Sequence, residues 1–170
     1  MHLGPRLRQR DGVSCGPAAA VAAGVLLDPV YRRLVGGADD AWIGAEQRRV
    51  HARINRFWPR ALGTTPAAMV AAIDAHGGGV RYRWRPCRGL WGCRDPLTDV
   101  LAAVRSDRPV AMLVGNVLPR HWVLVVASEG RMRCYEPSSG RLLALDPADV
   151  RAARLAGVGY PRPFAFVLPR

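Results

Sequence analysis

Cys15-Gly16-Pro17-Ala18-Ala19-Ala20-Val21-Ala22-Ala23-Gly24-Val25-Leu26-Leu27 is apolar along nearly its whole length. Proline is tolerated in a first helical turn and the alanines after it are strong helix formers, so the stretch predicts a helix. A helix without a polar face has to be buried. Asp28-Pro29 ends it, because the residue before a proline is pushed out of the helical region. Cys15 therefore heads a central buried helix, beside Gly16, whose missing side chain permits close approach of another backbone.

Two signals outside this helix turn a buried thiol into a candidate nucleophile. Upstream, Gln9 opens the string Gln9-Arg10-Asp11-Gly12-Val13-Ser14 and places an amide donor six residues before Cys15. Downstream, His121 stands at the mouth of the apolar run Trp122–Ala127. A helix N-terminus and a neighbouring imidazolium can lower a thiol pKa from about 8.5 to roughly 3.5–7.5. The same imidazolium protonates a leaving group, and the neutral ring activates water. A tetrahedral intermediate needs an oxyanion hole, for which the Cys15 backbone N–H and the Gln9 amide are the natural donors. Asp11 and Ser14 read as loop-forming residues, and His2, His51 and His76 as surface residues. Trp122 reads equally as core or as cleft lining.

Around these positions the pattern is helical first. Residues 29–60 read as amphipathic helices over Val30–Leu34 and roughly 44–57, joined by Gly36-Gly37. Thr65 is an expected N-cap with Pro66 at the first helical position of a helix to His76. Val80–Arg85 alternates as a strand, and Asp95-Pro96 is expected to cap a helix to Arg105. From Pro109 the signal changes to short strands: Pro109–Val114, His121–Ala127, Met132–Glu136 and Arg141–Leu145. Turn residues at Glu129-Gly130 and Ser138-Ser139-Gly140 link them as an antiparallel meander. Asp146-Pro147 caps a last helix to about Leu155, and Phe164–Leu168 closes the chain. The expectation is a single α+β domain over residues 1–170, with a helical part at about 11–106 and an antiparallel sheet at about 107–170.

Composition sets outer limits. At 170 residues, 49% hydrophobic and 22% charged, the chain reads as globular, and no stretch is apolar for long enough to span a membrane. The polar N-terminus, with Arg6, Arg8 and Arg10, leaves no room for a cleaved signal peptide. The expected location is the bacterial cytoplasm, or outside it by a route without a signal peptide. All 25 basic residues are Arg. A GC-rich genome accounts for that, and so does selection against modifiable amines in a domain delivered into a host cell. The net charge of +12 favours acidic partners. Arg49, Arg53, Arg56 and Arg60 would form a helical stripe, and Arg81, Arg83 and Arg85 one strand face. Cys87 and Cys93 are close enough in sequence to pair in an oxidising compartment. Cys134 reads as a small core residue. No zinc-type spacing occurs, so neither a metal nor a cofactor is expected.

The chain resembles the papain-like cysteine peptidases. Gln9 and Cys15-Gly16 at the head of a buried helix reproduce their spacing of oxyanion donor and nucleophile. The run Arg108-Pro109-Val110, then His121-Trp122, then Cys134-Tyr135-Glu136-Pro137 with Gly140, is similar to the branch that processes bacteriocin leaders. The resemblance covers Gln9–Pro17 and roughly Thr64–Leu155. It implies Cys15 as nucleophile, His121 as general acid and base, Gln9 as oxyanion donor and Glu136 as the group orienting the imidazole. Asp is usual at that last position, and Asn serves in papain itself; Glu is one methylene longer.

The leading expectation is a thiol hydrolase that cleaves a peptide or amide bond through an acyl-enzyme on Cys15, with a peptide or protein substrate that charge would allow to be acidic. Two other readings stay open: a glutamine deamidase, transamidase or acyltransferase effector or toxin using the same site, and an inactive Arg-rich module binding an acidic partner. Nucleic acid is not the expected partner.

Overall fold

The computed structural model describes residues 7–56, 58–88, 95–128 and 130–170. Among them the order is α1 (Cys15–Leu27), α2 (Pro29–Gly37), α3 (Asp40–Ile54), α4 (Pro66–Asp74), β1 (Tyr82–Pro86), α5 (Thr98–Arg105), β2 (Val110–Gly115), β3 (Pro119–Ser128), β4 (Arg131–Glu136), β5 (Arg141–Ala144), α6 (Pro147–Arg151) and β6 (Arg162–Pro169). The six strands form one antiparallel sheet in the order β1-β6-β2-β3-β4-β5. The protein is α+β.

Both faces of the sheet are covered, which explains why β2 is apolar and buried at all six positions. Ala111, Leu113, Trp122, Leu124 and Tyr135 pack with α1 and its neighbouring helices. Val110, Met112, Val123, Val125 and Cys134 pack with α5 and Val150 of α6. Eleven of the thirteen residues of α1 are buried, as an all-apolar helix requires. Asp28 caps α2 by accepting from the Val30 and Tyr31 amides, and Thr65 caps α4 by accepting from Ala68 N.

Several expectations need correction. The helical and sheet parts are not segregated: β1, from the first part, joins the sheet through β6. The second amphipathic helix begins at Asp40, where the Asp39 carboxylate accepts from Trp42 N. The expected helix at Asp95 begins at Thr98, because the Asp95 carboxylate is taken by Arg85 and by the Arg88 and Leu97 amides. Arg85 is thus not part of a solvated strand face; its guanidinium is held between Asp95 and Asp99 and lies over the Phe166 ring. In the expected arginine stripe, Arg49 pairs with Glu46 and sits over Trp42. His76 is not a surface residue, since its ring packs 4.1 Å from that of Tyr31 with Nδ1 3.3 Å from Asp28 Oδ2. His51 is partly buried, with Asn55 Nδ2 3.3 Å from its Nδ1. What approaches Gly16 is the Thr64 side chain and not another backbone. Cys87 is buried; Cys93 and His2 lie outside the described residues.

Candidate active site

The head of α1 is shaped by the loop before it. Ser14 Oγ accepts from the Arg10 and Asp11 amides and donates to Asp11 O, and Asp11 Oδ1 accepts from Val13 N. These contacts close the loop on itself and turn the chain into the helix at Cys15. Cys15 is buried in the cluster that includes Trp122.

His121 arrives from the other side of the molecule. The β2–β3 connection reverses within a few residues, and a Cβ on Gly115 would meet Leu118 O at 2.0 Å, so that turn needs glycine. His121 pairs with Val114 and is 6% exposed. Its ring lies 5.7 Å from that of Tyr160. The next residue, Trp122, donates its indole N–H to Thr64 O at 2.7 Å. Thr64 in turn presses on Gly16, so Trp122 ties the His121 strand to the segment packed on the head of α1.

Glu136 ends β4 and is also buried. Its Oε1 lies 2.8 Å from His121 Nε2, and it accepts from Ser138 N through Oε1 and from Ser139 N through Oε2, each at 2.8 Å. The extra methylene relative to Asp lets the carboxylate fold back onto its own turn while reaching the imidazole. A carboxylate only accepts, so Nε2 carries the proton and Nδ1 is the ring nitrogen left for Cys15.

The electrostatics follow from these contacts. Burial opposes charge on His121, but a side-chain hydrogen bond to Cys15 and the bond to Glu136 outweigh it, and the ring pKa is pushed up to about 9. Burial likewise opposes charge on Glu136, yet His121 and the Ser138 and Ser139 amides hold its carboxyl down at about 2. Both groups are charged at neutral pH. Cys134 is fully buried in the core, and burial pushes its thiol well up.

Gln9 is stitched to the same turn. Its backbone N–H donates to Pro137 O at 2.8 Å and its Oε1 accepts from Ser138 Oγ at 3.4 Å. Its Nε2 donates to Asp11 O at 2.9 Å. That engages one amide proton and leaves the second, so the structure brings Cys15, His121 and Glu136 together and sets Gln9 between the nucleophile loop and the Glu136 turn. Thr64, Tyr160 and the two serine amides were not identified from sequence. The serines stood in a recognised turn, but Thr64 and Tyr160 carry no local signal.

Two cavities differ in character. One of about 720 Å³ lies between α5 and β4–β5, with Leu101, Val104, Met132 and Leu145 in its walls, and holds no Cys or His. The other, about 430 Å³, is bordered by Asp11 and Ser14 of the nucleophile loop and by α3. Among the described residues no group of three or more His, Cys, Asp or Glu is placed to hold a metal ion, and no helix is long and apolar enough to cross a membrane. No protein-family model and no curated protein matches this chain, so what the site can do has to be read from its own geometry.

Proposed function

We propose that this chain is a papain-like thiol hydrolase that cleaves a peptide or amide bond through an acyl-enzyme on Cys15. The observation that carries the reading is the buried line from Glu136 through His121 to Cys15 at a helix N-terminus. Structural cysteines and histidines rarely share one hydrogen-bonded site with a buried carboxylate whose charge is fixed by two backbone amides.

In this mechanism the Cys15 thiolate attacks the substrate carbonyl carbon. A C–S bond forms, and the carbonyl π electrons move to oxygen. The Cys15 N–H and the remaining Gln9 amide proton are the donors we assign to that charge. The oxyanion collapses, the C–N bond breaks and the leaving amine takes the proton from His121. The neutral imidazole then removes a proton from water, whose oxygen attacks the thioester. Collapse returns the thiolate, the imidazolium and a carboxylic acid product. Glu136 holds the ring in one tautomer and stabilises its positive form, without taking the proton.

The test is labelling and turnover together. An electrophilic thiol probe should modify Cys15 faster than Cys134, and Cys15→Ala should abolish turnover while leaving thermal stability close to that of the parent. Mass spectrometry of treated protein substrates separates chain cleavage from side-chain deamidation. Full turnover in Cys15→Ala would remove the assignment.

A further inference from the structure

Gly44 lies inside α3, where glycine is a weaker helix former than alanine. Neither its backbone nor its packing asks for glycine. Its φ is not in the left-handed region, and a Cβ there would meet nothing closer than Arg48 Nη1 at 3.6 Å, Arg10 Nε at 3.7 Å and Arg10 Cγ at 3.8 Å. Those are ordinary contacts with flexible side chains. The missing side chain is therefore open space beneath two guanidinium groups, which converge on one point from α3 and from the nucleophile loop. Gly44, Arg10 and Arg48 all line the cavity of about 430 Å³.

Two like charges brought over one point repel, and an anion between them turns that repulsion into attraction. Both groups have donors to offer. Arg48 is exposed and makes no hydrogen bond or ion pair among the described residues. Arg10 gives Nη2 to Asp40 O at 2.9 Å and keeps Nε, the atom over Gly44, uncommitted. Asp40 Oδ1 lies 3.9 Å from Arg10 Nη2 with both side chains exposed, a contact that solvent screens. Asp11 also lines the cavity, but its Oδ1 already accepts from Val13 N. A planar carboxylate pairs with one guanidinium fork. A phosphoryl group brings three oxygens in a tetrahedral array and nearly two charges, and so can accept from both forks.

We infer that the Arg10–Arg48 pair over Gly44 is a binding site for a phosphoryl dianion, as free phosphate or as the head of a small phosphate monoester. The cavity falls in the range of small-molecule sites, roughly 300–1,000 Å³, so it has room for a carrier, with His51 and Ala52 of the next helical turn in its wall. The site shares no residue with the line from Cys15 through His121 to Glu136, and it stands whether or not Cys15 is a nucleophile.

The experiment is calorimetric titration of the full chain at about pH 7.5, where a phosphate monoester is almost wholly dianionic. The probes are phenyl phosphate, inorganic phosphate, phenyl sulfate (a monoanion of the same shape) and benzoate. Phenyl phosphate should saturate a single site and bind more tightly than phenyl sulfate and benzoate. Arg48→Gln and Gly44→Ala should each weaken it roughly tenfold or more. Gly44→Ala fills the space with a methyl group while favouring the helix, so it keeps the test open if Arg48→Gln fails to fold. Arg33→Gln removes an exposed charge outside the cavity and should leave the affinity unchanged. Inorganic phosphate binding as tightly as phenyl phosphate assigns the free anion to the site, and a preference for phenyl phosphate assigns the monoester. No saturable binding, benzoate or phenyl sulfate as tight as phenyl phosphate, an equal loss in Arg33→Gln, or full affinity in folded Arg48→Gln or Gly44→Ala would overturn the site.

Discussion

A Cβ placed on Gly16 would stand 2.3 Å from Thr64 Oγ1 and 2.6 Å from Thr64 Cβ. The second contact cannot be relieved by a rotamer change, because Cβ is fixed to the backbone. Gly16→Ala must therefore move either the head of α1 or the segment anchored by Trp122. Overpacking of this kind costs about 1–3 kcal/mol, read from urea denaturation, and alkylation of Cys15 should slow with it. Thr64→Ala removes Oγ1 and Cγ2, so its effect combined with Gly16→Ala should be less than additive. Strict additivity would mean the two residues do not press on each other.

Glu136→Gln keeps the shape of the side chain but presents an NH₂ group where a carboxylate oxygen accepts. The pKa of His121, pushed up to about 9 in the parent, should fall toward its ordinary value in an NMR titration of the ring. Turnover should drop on the order of 10². An unchanged His121 titration would show that Glu136 serves only its own turn.

In the proposed mechanism Gln9 donates to charge that exists only in the transition state, so in Gln9→Ala kcat should fall on the order of 10²–10³ with little change in KM. The backbone link from Gln9 N to Pro137 O survives this substitution. A rise in KM at constant kcat would assign Gln9 to substrate binding instead.

The charged pair sets a pH window for stability. The His121 pKa of about 9 lies above its ordinary 6.5, so its contribution is full below 6.5 and is lost as pH rises through 9. The Glu136 pKa of about 2 lies below its ordinary 4.5, so its contribution is full above 4.5 and is lost as pH falls through 2. Their joint contribution is therefore complete between 4.5 and 6.5. Subtracting the urea midpoints of Glu136→Gln from those of the parent across pH should show a difference that is largest in that window and shrinks toward pH 9. A flat difference from pH 6 to 9.5 would contradict the coupling.

Arg85→Met should be the most destabilising single change outside the site. It leaves Asp95, whose side chain is 1% exposed, and Asp99 facing each other without the guanidinium between them. Breaking a buried ion pair from one side costs about 3–5 kcal/mol. Arg85→Lys should recover only part of this, because one ammonium cannot reproduce the paired contacts of Arg85 to both carboxylates. A loss below 1 kcal/mol in chemical denaturation would show that the cluster is solvated.

What could be read from sequence was what announces itself locally. The bounds of α1, the Thr65-Pro66 and Asp146-Pro147 caps and the strands from Val110 onward follow from proline, capping side chains and apolar runs. Cys15 and Glu136 could be named because they begin α1 and end β4, and His121 because it opens the apolar run of β3, whose strand starts two residues earlier at Pro119. Asp95 misled because its carboxylate answers to Arg85, ten positions earlier, and not to the helix that follows. His76 misled because nothing nearby in sequence reveals the Tyr31 ring it stacks on. Thr64 matters through its contacts with Gly16 and Trp122, both far away along the chain.

The position of β6 between β1 and β2 governs the order in which the sheet can assemble. Strands β2 to β5 are neighbours in both sequence and space and can pair while the chain is still growing. β1 emerges before all of them but has only β6 as a partner, with Pro86 waiting for Ala165. Closing so long a loop is slow, so β1 docks late. During synthesis it exposes an unpaired edge, and Trp84 and Arg83 remain exposed even after docking. β1 is also an edge of the finished sheet, so the exposed Arg83 opposes edge-to-edge pairing both before and after docking.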